Sequence, residues 1–255
     1  MASPEEPLTF QYLSCIMFEF SKFQVTRVPK LADCLILAGN ITGFAGNAEA
    51  LQMIMEYWAK VYKEVIYVPG PQEFAGAPLD VGFMVCESLK TICSNIRVVS
   101  PDNGSVIFPS SRIRVIGGLL WGLDPKPLVD RSIAVDQEAH KSKTKMTLKD
   151  TEALHAKDEE WILSEMKRAK EMNERTIVVT HGCPSFLLCR DVSKYKLVDP
   201  VSESLLGENG PDFWIYGAPG DEGVAKIEGS DTTFCVNDYN AREDSMRGEY
   251  VISFE

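Results

Sequence analysis

The sequence predicts an α/β fold, in which buried strands alternate with helices that cover them. Seven short apolar runs, each bounded by Gly, Pro or Asp, have the length and composition of buried strands. They span residues 9–17, 34–38, 65–68, 113–116, 176–180, 213–216 and 232–236. Segments with apolar residues at helical spacing lie between the second and third runs and before the fifth. This alternation is typical of sheets whose strands are joined by crossover helices.

The first predicted helix lies between the second and third strands. Its apolar residues share one helical face, which leaves Glu56, Lys60 and Lys63 on the opposite face. The apolar face consists of Leu51, Ile54, Met55, Trp58, Val61 and Tyr62. We therefore expect this helix to cover one face of a sheet as a crossover connection.

A second helix is predicted over residues 148–172. Thr147 is a suitable N-cap, because it stands three residues before Asp150. The apolar face contains Leu154, Trp161, Ile162 and Met166. The preceding segment, residues 124–146, combines prolines with mixed charge and shows no periodicity. We interpret this segment as a long surface excursion between a strand and the helix.

The composition narrows the class of protein. The chain has 255 residues, of which 45% are hydrophobic and 25% charged, so we predict one domain over residues 1–255. The formal net charge of -11 argues against a nucleic-acid partner, which would need clustered Lys and Arg. The seven cysteines form no CxxC pair, which favours a reduced compartment over a disulfide framework or a structural zinc site.

The sequence also gives expectations about location. No apolar run approaches the roughly 18 residues of a membrane span. The opening segment, MASPEEP, has neither the basic start nor the apolar stretch of a signal peptide. We therefore expect a protein with no membrane partner that is cytoplasmic or cytoskeletal.

Five short motifs follow the predicted strands, where ligands gather in sheets of this kind. They are Cys15-Ile16-Met17, Gly39-Asn40, Gly70-Pro71-Gln72-Glu73, His181 within residues 180–185, and Gly217-Ala218-Pro219-Gly220. In order and spacing, they resemble the five blocks of the calcineurin-like metallophosphoesterases. Those blocks read Asp-x-His, Gly-Asp, Gly-Asn-His-Glu, a lone His and Gly-His-x-His. The resemblance extends over residues 9–254.

The resemblance implies a four-layer α/β/β/α sandwich, with two mixed β-sheets face to face and helices outside. It also implies the chemistry for which the motifs exist. Enzymes of this family bind two divalent metals, such as Mn, Fe or Zn, which hold the phosphate and activate a bridging water. Such metals need oxygen and imidazole ligands.

Most of the matching positions carry other residues in this chain. Cys15 and Met17 stand in place of the first Asp and His, and Asn40 stands in place of the Asp that bridges both metals. Pro71 replaces the ligating Asn, and Gln72 replaces the His that acts on the leaving group. The second and third motifs thus keep Gly39 and Gly70, whereas all of the first three motifs lose their ligands.

The last motif is changed in the same way. Ala218 and Gly220 replace both of its histidines, so only His181 remains of the seven metal-ligand positions. One neutral imidazole cannot hold a dinuclear centre, and Ala, Gly and Pro side chains offer no donor. We therefore expect no metal cofactor and no catalytic residue, and we interpret these positions as a vestigial active site.

The resemblance then implies a catalytically inactive pseudoenzyme that acts as a structural or scaffold subunit, with protein partners in a larger assembly. Two alternatives remain open. The first is a residual or altered metal-dependent phosphoesterase that uses His181 and carboxylates elsewhere. The second is a small-molecule sensor that uses the vacated cleft.

The role of His181 also has alternatives. We interpret it first as a satisfied polar residue at a strand end, and the alternatives are a relic ligand and a lone general base. A soft-metal site of Cys15, Met17, His181 and Cys183 is a further possibility, because the resemblance brings the first and fourth motifs together.

A rearranged carboxylate site is the last alternative. It would use Asp221 and Glu222 after the last motif and Asp238 after the last core strand. The two other histidines, His140 and His155, lie away from the five motifs, and we expect both at the surface.

Overall fold

The computed structural model describes two β-sheets and the helices that flank them. The residues described are 7–18, 24–121, 134–136, 143–188, 201, 203–207, 209–217, 223–237, 239–240, 245–246 and 251–254. The strands are β1 (Thr9–Leu13), β2 (Cys34–Ala38), β3 (Glu64–Val68), β4 (Ile96–Val98), β5 (Val106–Phe108), β6 (Ile113–Gly118), β7 (Ala134–Asp136), β8 (Lys143–Lys145), β9 (Arg175–Thr180), β10 (Phe213–Tyr216), β11 (Gly223–Ala225), β12 (Thr233–Val236), β13 (Tyr239–Asn240), β14 (Ser245–Met246) and β15 (Val251–Ser253). The helices are α1 (Ala48–Val61), α2 (Leu79–Ile92), α3 (Leu148–Glu171) and α4 (Glu203–Leu206), with 3-10 turns at Val25–Arg27 and Phe186–Leu188.

The first sheet has the strand order β15-β1-β2-β3-β4. Strands β1 to β4 are parallel, and β15 pairs antiparallel with β1. Helices α1 and α2 are the crossovers from β2 to β3 and from β3 to β4. Because side chains alternate along a strand, Leu35 and Leu37 pack with Trp58 of α1, whereas Ile36 faces the second sheet.

The second sheet has the strand order β11-β12-β10-β9-β6-β5. Its four central strands are parallel, and the edge strands β5 and β11 are antiparallel to their neighbours. Val178 and Trp214 pack with Ile162 of α3, whereas Val179 and Ile215 face the first sheet. Both sheets are therefore mixed, and each has one face against helices.

The core is divided into three apolar layers. The middle layer lies between the sheets and includes Phe10 and Ile66 from the first sheet and Val115 and Ile177 from the second. The outer layers separate the first sheet from α1 and α2 and the second sheet from α3. The protein is thus a four-layer α/β/β/α sandwich, which confirms the predicted fold class.

The predicted elements are present, with adjusted bounds. All seven strands form, although β1 ends at Leu13 rather than at residue 17. Helices α1 and α3 confirm the two predicted helices, and Thr147 caps α3 as expected. Its hydroxyl accepts from Asp150 N, while the Asp150 carboxylate accepts from Thr147 N at 2.7 Å. This reciprocal pair is a capping box.

Other elements were not predicted. They include α2, the three-residue strands and the β7–β8 hairpin, which lies within the predicted surface excursion. Most of the remaining excursion lies outside the described residues. None of the helices in the described part of the chain is long and apolar enough to cross a membrane.

Candidate active site

The parallel strands of both sheets end at one edge of the sandwich, and the segments that follow them are bonded across the sheets. Ser14 Oγ donates to Gly217 O at 2.9 Å between the two sheets, and Cys15 N donates to Gly39 O at 3.0 Å within the first sheet. We call residues 14–18, 39–41, 70–73, 180–182 and 217 the strand-end cluster. It brings together the described parts of all five sequence motifs.

His181 lies at the centre of the strand-end cluster. Its Nδ1 is 2.9 Å from Ala38 O. Because a carbonyl can only accept, Nδ1 carries the proton and Nε2 is left as the acceptor of the neutral ring. Burial lowers the pKa of His181 to about 4, although the bond to Ala38 acts in the opposite direction. The imidazole is therefore neutral at pH 7.

Three glycines enclose the His181 ring. A Cβ at Gly39 would lie 2.7 Å from Nδ1, and one at Gly70 would lie 3.0 Å from Cγ. A Cβ at Gly217 would overlap both the ring and Ala38 O. The glycines kept from the family motifs thus leave the space that the imidazole occupies.

Asn40 is buried directly after β2, and its side chain organises the next strand end. Its Oδ1 accepts from Gln72 N at 3.0 Å, which fixes the turn that contains Pro71 and Gln72. Its carbonyl accepts from Met17 N at 2.9 Å. The polar atoms of Asn40 therefore connect the segments after β1, β2 and β3.

The two residues that replace the first pair of ligands both have left-handed backbone conformations. The φ angles are 56° at Cys15 and 46° at Met17, a region that non-glycine residues rarely occupy. Cys15 is buried, and its Sγ donates to Gly217 O at 3.4 Å. Met17 is half-buried. The surrounding hydrogen bonds hold this unfavourable backbone in place.

Glu73 is fully buried and receives four hydrogen bonds. Its two carboxylate oxygens accept from Asn40 N at 2.9 Å, Ile41 N at 2.6 Å, Gly70 N at 3.0 Å and Tyr67 Oη at 3.1 Å. Burial raises the pKa of Glu73 to about 7, while the hydrogen bonds lower it. All four partners are donors, so the arrangement favours the carboxylate. The Glu73 carboxylate therefore connects the segments that follow β2 and β3 by hydrogen bonds.

Helix α3 supports the cluster from the other sheet. The Asp158 carboxylate accepts from Leu120 N at 2.7 Å, and His155 Nδ1 donates to Trp121 O at 2.8 Å. The neighbouring Leu119 O accepts from His181 N. The expected surface position of His155 is wrong, because only 6% of the residue is exposed. Its ring is buried where it can bond the main chain after β6.

Several expected site residues cannot be placed. Ala218, Gly220, Asp221, Glu222 and Asp238 lie outside the described residues, as does His140. The rearranged carboxylate site therefore stays a prediction.

The sequence matches no protein-family model and no curated protein. Three solved structures are similar in fold. A phosphopantetheinyl hydrolase from Mycobacterium tuberculosis superposes with a TM-score of 0.65 at 12% identity, covering 97% of this chain and 96% of the hydrolase. TT1561 from Thermus thermophilus gives 0.56 at 13%, covering 97% and 99%, and a dimetal phosphatase from Danio rerio gives 0.52 at 11%, covering 91% and 88%. The chain has a metallophosphoesterase-like fold.

The described side chains do not fit the dinuclear metal centre that this metallophosphoesterase-like fold implies. Asn40 Oδ1 is used by Gln72 N, and Pro71 has no side-chain donor. Cys15 and Cys183 donate their thiol protons to carbonyls, whereas a metal binds the thiolate. In the described ranges, no three His, Cys, Asp or Glu side chains are grouped to hold an ion.

The sequence reasoning missed the residues that support the site of the metallophosphoesterase-like fold. Asp158 and His155 were not predicted to bond the main chain near His181. The sequence does contain a signal for them. Polar residues of α3 stand at the same helical spacing as its buried apolar residues, which places them on the buried face. That face consists of Thr151, His155, Asp158, Ile162, Glu165, Met166 and Ala169.

Proposed function

We propose that this chain is a non-catalytic protein with a metallophosphoesterase-like fold that serves as an interaction or scaffold subunit of a cytoplasmic or cytoskeletal assembly. The observation that carries the proposal is the use of polar atoms in the strand-end cluster. Where the family motifs have ligands, the side chains of Cys15, Asn40 and His181 bond the protein itself, and the Pro71 side chain has no donor.

The geometry of His181 and Asn40 supports this proposal. His181 donates to Ala38 O, and Asn40 Oδ1 accepts from Gln72 N. Asn40 Oδ1 keeps a second lone pair, but as a neutral amide oxygen it lacks the charge of the carboxylate that bridges two metals in the family. His181 Nε2 would then be the one imidazole ligand, which is too few for a catalytic site that uses three protein ligands.

The charge of the cluster supports the same conclusion. Two divalent cations need several anionic ligands, and the carboxylates at the first and second motifs are replaced by Cys15 and Asn40. The buried carboxylate of Glu73 is turned toward main-chain N–H groups. The one carboxylate of the described cluster is therefore occupied by hydrogen bonds within the protein, and its single negative charge would not balance two divalent metals.

The test is metal content and turnover on one sample of the purified chain, incubated with excess Mn²⁺ and then desalted. The substrates are p-nitrophenyl phosphate, bis-p-nitrophenyl phosphate and a phosphopantetheinyl ester, the last because one structural neighbour is a phosphopantetheinyl hydrolase. We expect a folded protein with no stoichiometric metal and no turnover above the buffer rate.

The control is His181→Asn, which keeps a donor near Ala38 O but removes Nε2. Activity that is the same in both proteins would come from a contaminating phosphatase. Two metals per chain, with turnover that the His181→Asn variant lacks, would contradict the proposal and identify an active phosphoesterase.

A further inference from the structure

Helices α1 and α2 carry the same outward-facing pattern. Each has 14 residues, with an acidic residue second, a methionine sixth and a glutamate ninth. Positions two, six and nine share one face of a helix and extend over about 10 Å. We call these six residues the α1–α2 surface: Glu49, Met53, Glu56, Asp80, Met84 and Glu87.

The two helices present this pattern side by side. They connect the parallel strands β2, β3 and β4, so both run opposite to the strands and parallel to each other. They also contact each other. Packed helices lie about 8–10 Å apart, and positions two, six and nine lie opposite the buried residues on both helices, so the matching positions form two neighbouring stripes on the outer side of the pair.

The two methionines at the centre of the surface are exposed. Met53 is 71% exposed and Met84 69%, whereas the opposite face of α1 buries Leu51, Ile54 and Met55. Val81 is also exposed, beside Met84 on α2. Long, flexible methionine side chains are common at surfaces that bind amphipathic helices.

On each helix, the charged residues within one turn of the methionine are acidic. Both acidic pairs lie in the first three turns of their helices, and Lys60 and Lys90 lie in the last turns. Glu87 pairs with Lys90 at 2.5 Å, and Glu56 accepts from Gln52 at 2.9 Å. The Glu87–Lys90 pair is exposed and therefore weak, so a lysine of a partner can take the place of Lys90 at little cost. The methionines are therefore bordered by negative charge.

We propose that the α1–α2 surface docks a basic amphipathic helix of a partner protein. Apolar residues of the partner pack on Met53 and Met84, and its Lys and Arg side chains pair with the four carboxylates. Charge complementarity selects a basic partner, and the paired methionines select an apolar stripe. This proposal rests on the interaction role proposed above.

The probe is a fluorescein-labelled helical peptide of about 18 residues, with leucine at helical spacing and lysine elsewhere. Fluorescence anisotropy measures its affinity for the full chain. We expect binding that weakens about tenfold or more in Met53→Gln/Met84→Gln, because glutamine keeps length and helix propensity but loses the apolar contact. The matched control, Met172→Gln, changes an exposed methionine elsewhere and should bind as the wild type does.

A second pair of variants separates local from general electrostatics. One replaces Glu49, Glu56 and Glu87 with Gln and Asp80 with Asn. The control makes the same change in net charge at four exposed glutamates elsewhere, Glu152, Glu160, Glu171 and Glu228. We expect the first variant to lose about tenfold in affinity and the control to lose less than about twofold. Equal losses would overturn the proposal.

Two other occupants are tested in parallel. A control peptide has glutamine in place of every lysine. If it binds as tightly as the lysine peptide, the partner is not selected by its basic charge and the proposal is contradicted. Self-association by sedimentation velocity that Met53→Gln/Met84→Gln abolishes would assign the surface to a second copy instead.

The proposed non-catalytic role and the proposed docking surface can fail independently of each other. If the chain binds the peptide and also shows turnover, only the proposed non-catalytic role is contradicted. If the chain is inactive and metal-free but does not bind the peptide, only the proposed docking surface is contradicted.

Discussion

Gly39 connects the backbone of the strand-end cluster with the His181 ring. Its φ is +76°, and a Cβ there would lie 2.7 Å from both Gly70 N and His181 Nδ1. We expect Gly39→Ala to lower the free energy of unfolding by about 3 kcal/mol, because it adds left-handed strain and a clash with the main chain. Urea unfolding followed by circular dichroism measures the change.

Gly46 provides the matched control for Gly39. Its φ is +75°, but a Cβ there would meet nothing within 4 Å. Gly46→Ala should therefore lower the free energy of unfolding by about 1 kcal/mol, the cost of a left-handed backbone at alanine. Equal losses in the two variants would mean that crowding around His181 does not contribute.

Asp158 gives a pH-dependent prediction. Burial raises the pKa of Asp158 from 3.8 to about 7, against the bond from Leu120 N. The folded protein therefore holds this proton more tightly than the unfolded chain does. The contribution of Asp158 to the free energy of unfolding is greatest below pH 4, and it is lost as the pH rises to 7. Relative to Asp158→Asn, the wild type should lose up to about 4 kcal/mol over this range.

Unfolding curves of wild type and Asp158→Asn between pH 4 and pH 8 check this difference. Asp231→Asn removes one charge from an exposed position and serves as the control. A constant difference between wild type and Asp158→Asn across the range would contradict the prediction.

At the site, the sequence predicted which positions differ from the family motifs, but not the bonds that those positions make. A satisfied polar residue was the first interpretation of His181, from its place at a strand end. The four donors to Glu73 come mostly from the main chain of turns after two different strands. Sequence patterns describe side chains, so such long-range main-chain bonds give no periodic signal.

At the scale of elements, α3 depends on its first turn as well as on its buried face. The capping box at Thr147 and Asp150 satisfies N–H groups that the helix leaves unpaired. Thr147→Ala should cost about 1 kcal/mol, whereas Lys149→Ala in the same turn should cost nothing. Thermal unfolding compares the two variants, and equal melting temperatures would show that the box contributes no stability.

The elements that the sequence failed to predict share a physical reason. The buried face of α2 is formed by Gly82, Cys86 and Leu89, while Val81 and Met84 are exposed. Its apolar residues therefore do not mark the buried side. The three-residue edge strands are shorter than the runs that periodicity detects. By contrast, α1 buries Leu51, Met55 and Trp58 on one face, and the spacing predicted it directly.

At the scale of the whole molecule, the fold is stabilised by three apolar layers, which include Ile16 and Ile41 of the strand-end cluster but none of its described ligand positions. The ligand positions can therefore change without loss of the sandwich, since none of the described ones contributes to these layers. The same separation means that ligands can be restored on the existing frame.

The restored chain carries seven substitutions: Cys15→Asp, Met17→His, Asn40→Asp, Pro71→Asn, Gln72→His, Ala218→His and Gly220→His. Together with His181, these residues complete the family motifs that the sequence resembles. We expect this chain to bind Mn²⁺ in isothermal titration calorimetry and to be stabilised against heat by the bound metal, as any ligand of the folded state does. The same chain without the Asn40→Asp substitution should bind Mn²⁺ more weakly, because position 40 would bridge both metals. A folded, restored chain that binds no metal would mean that the cluster has lost the family geometry as well as its ligands.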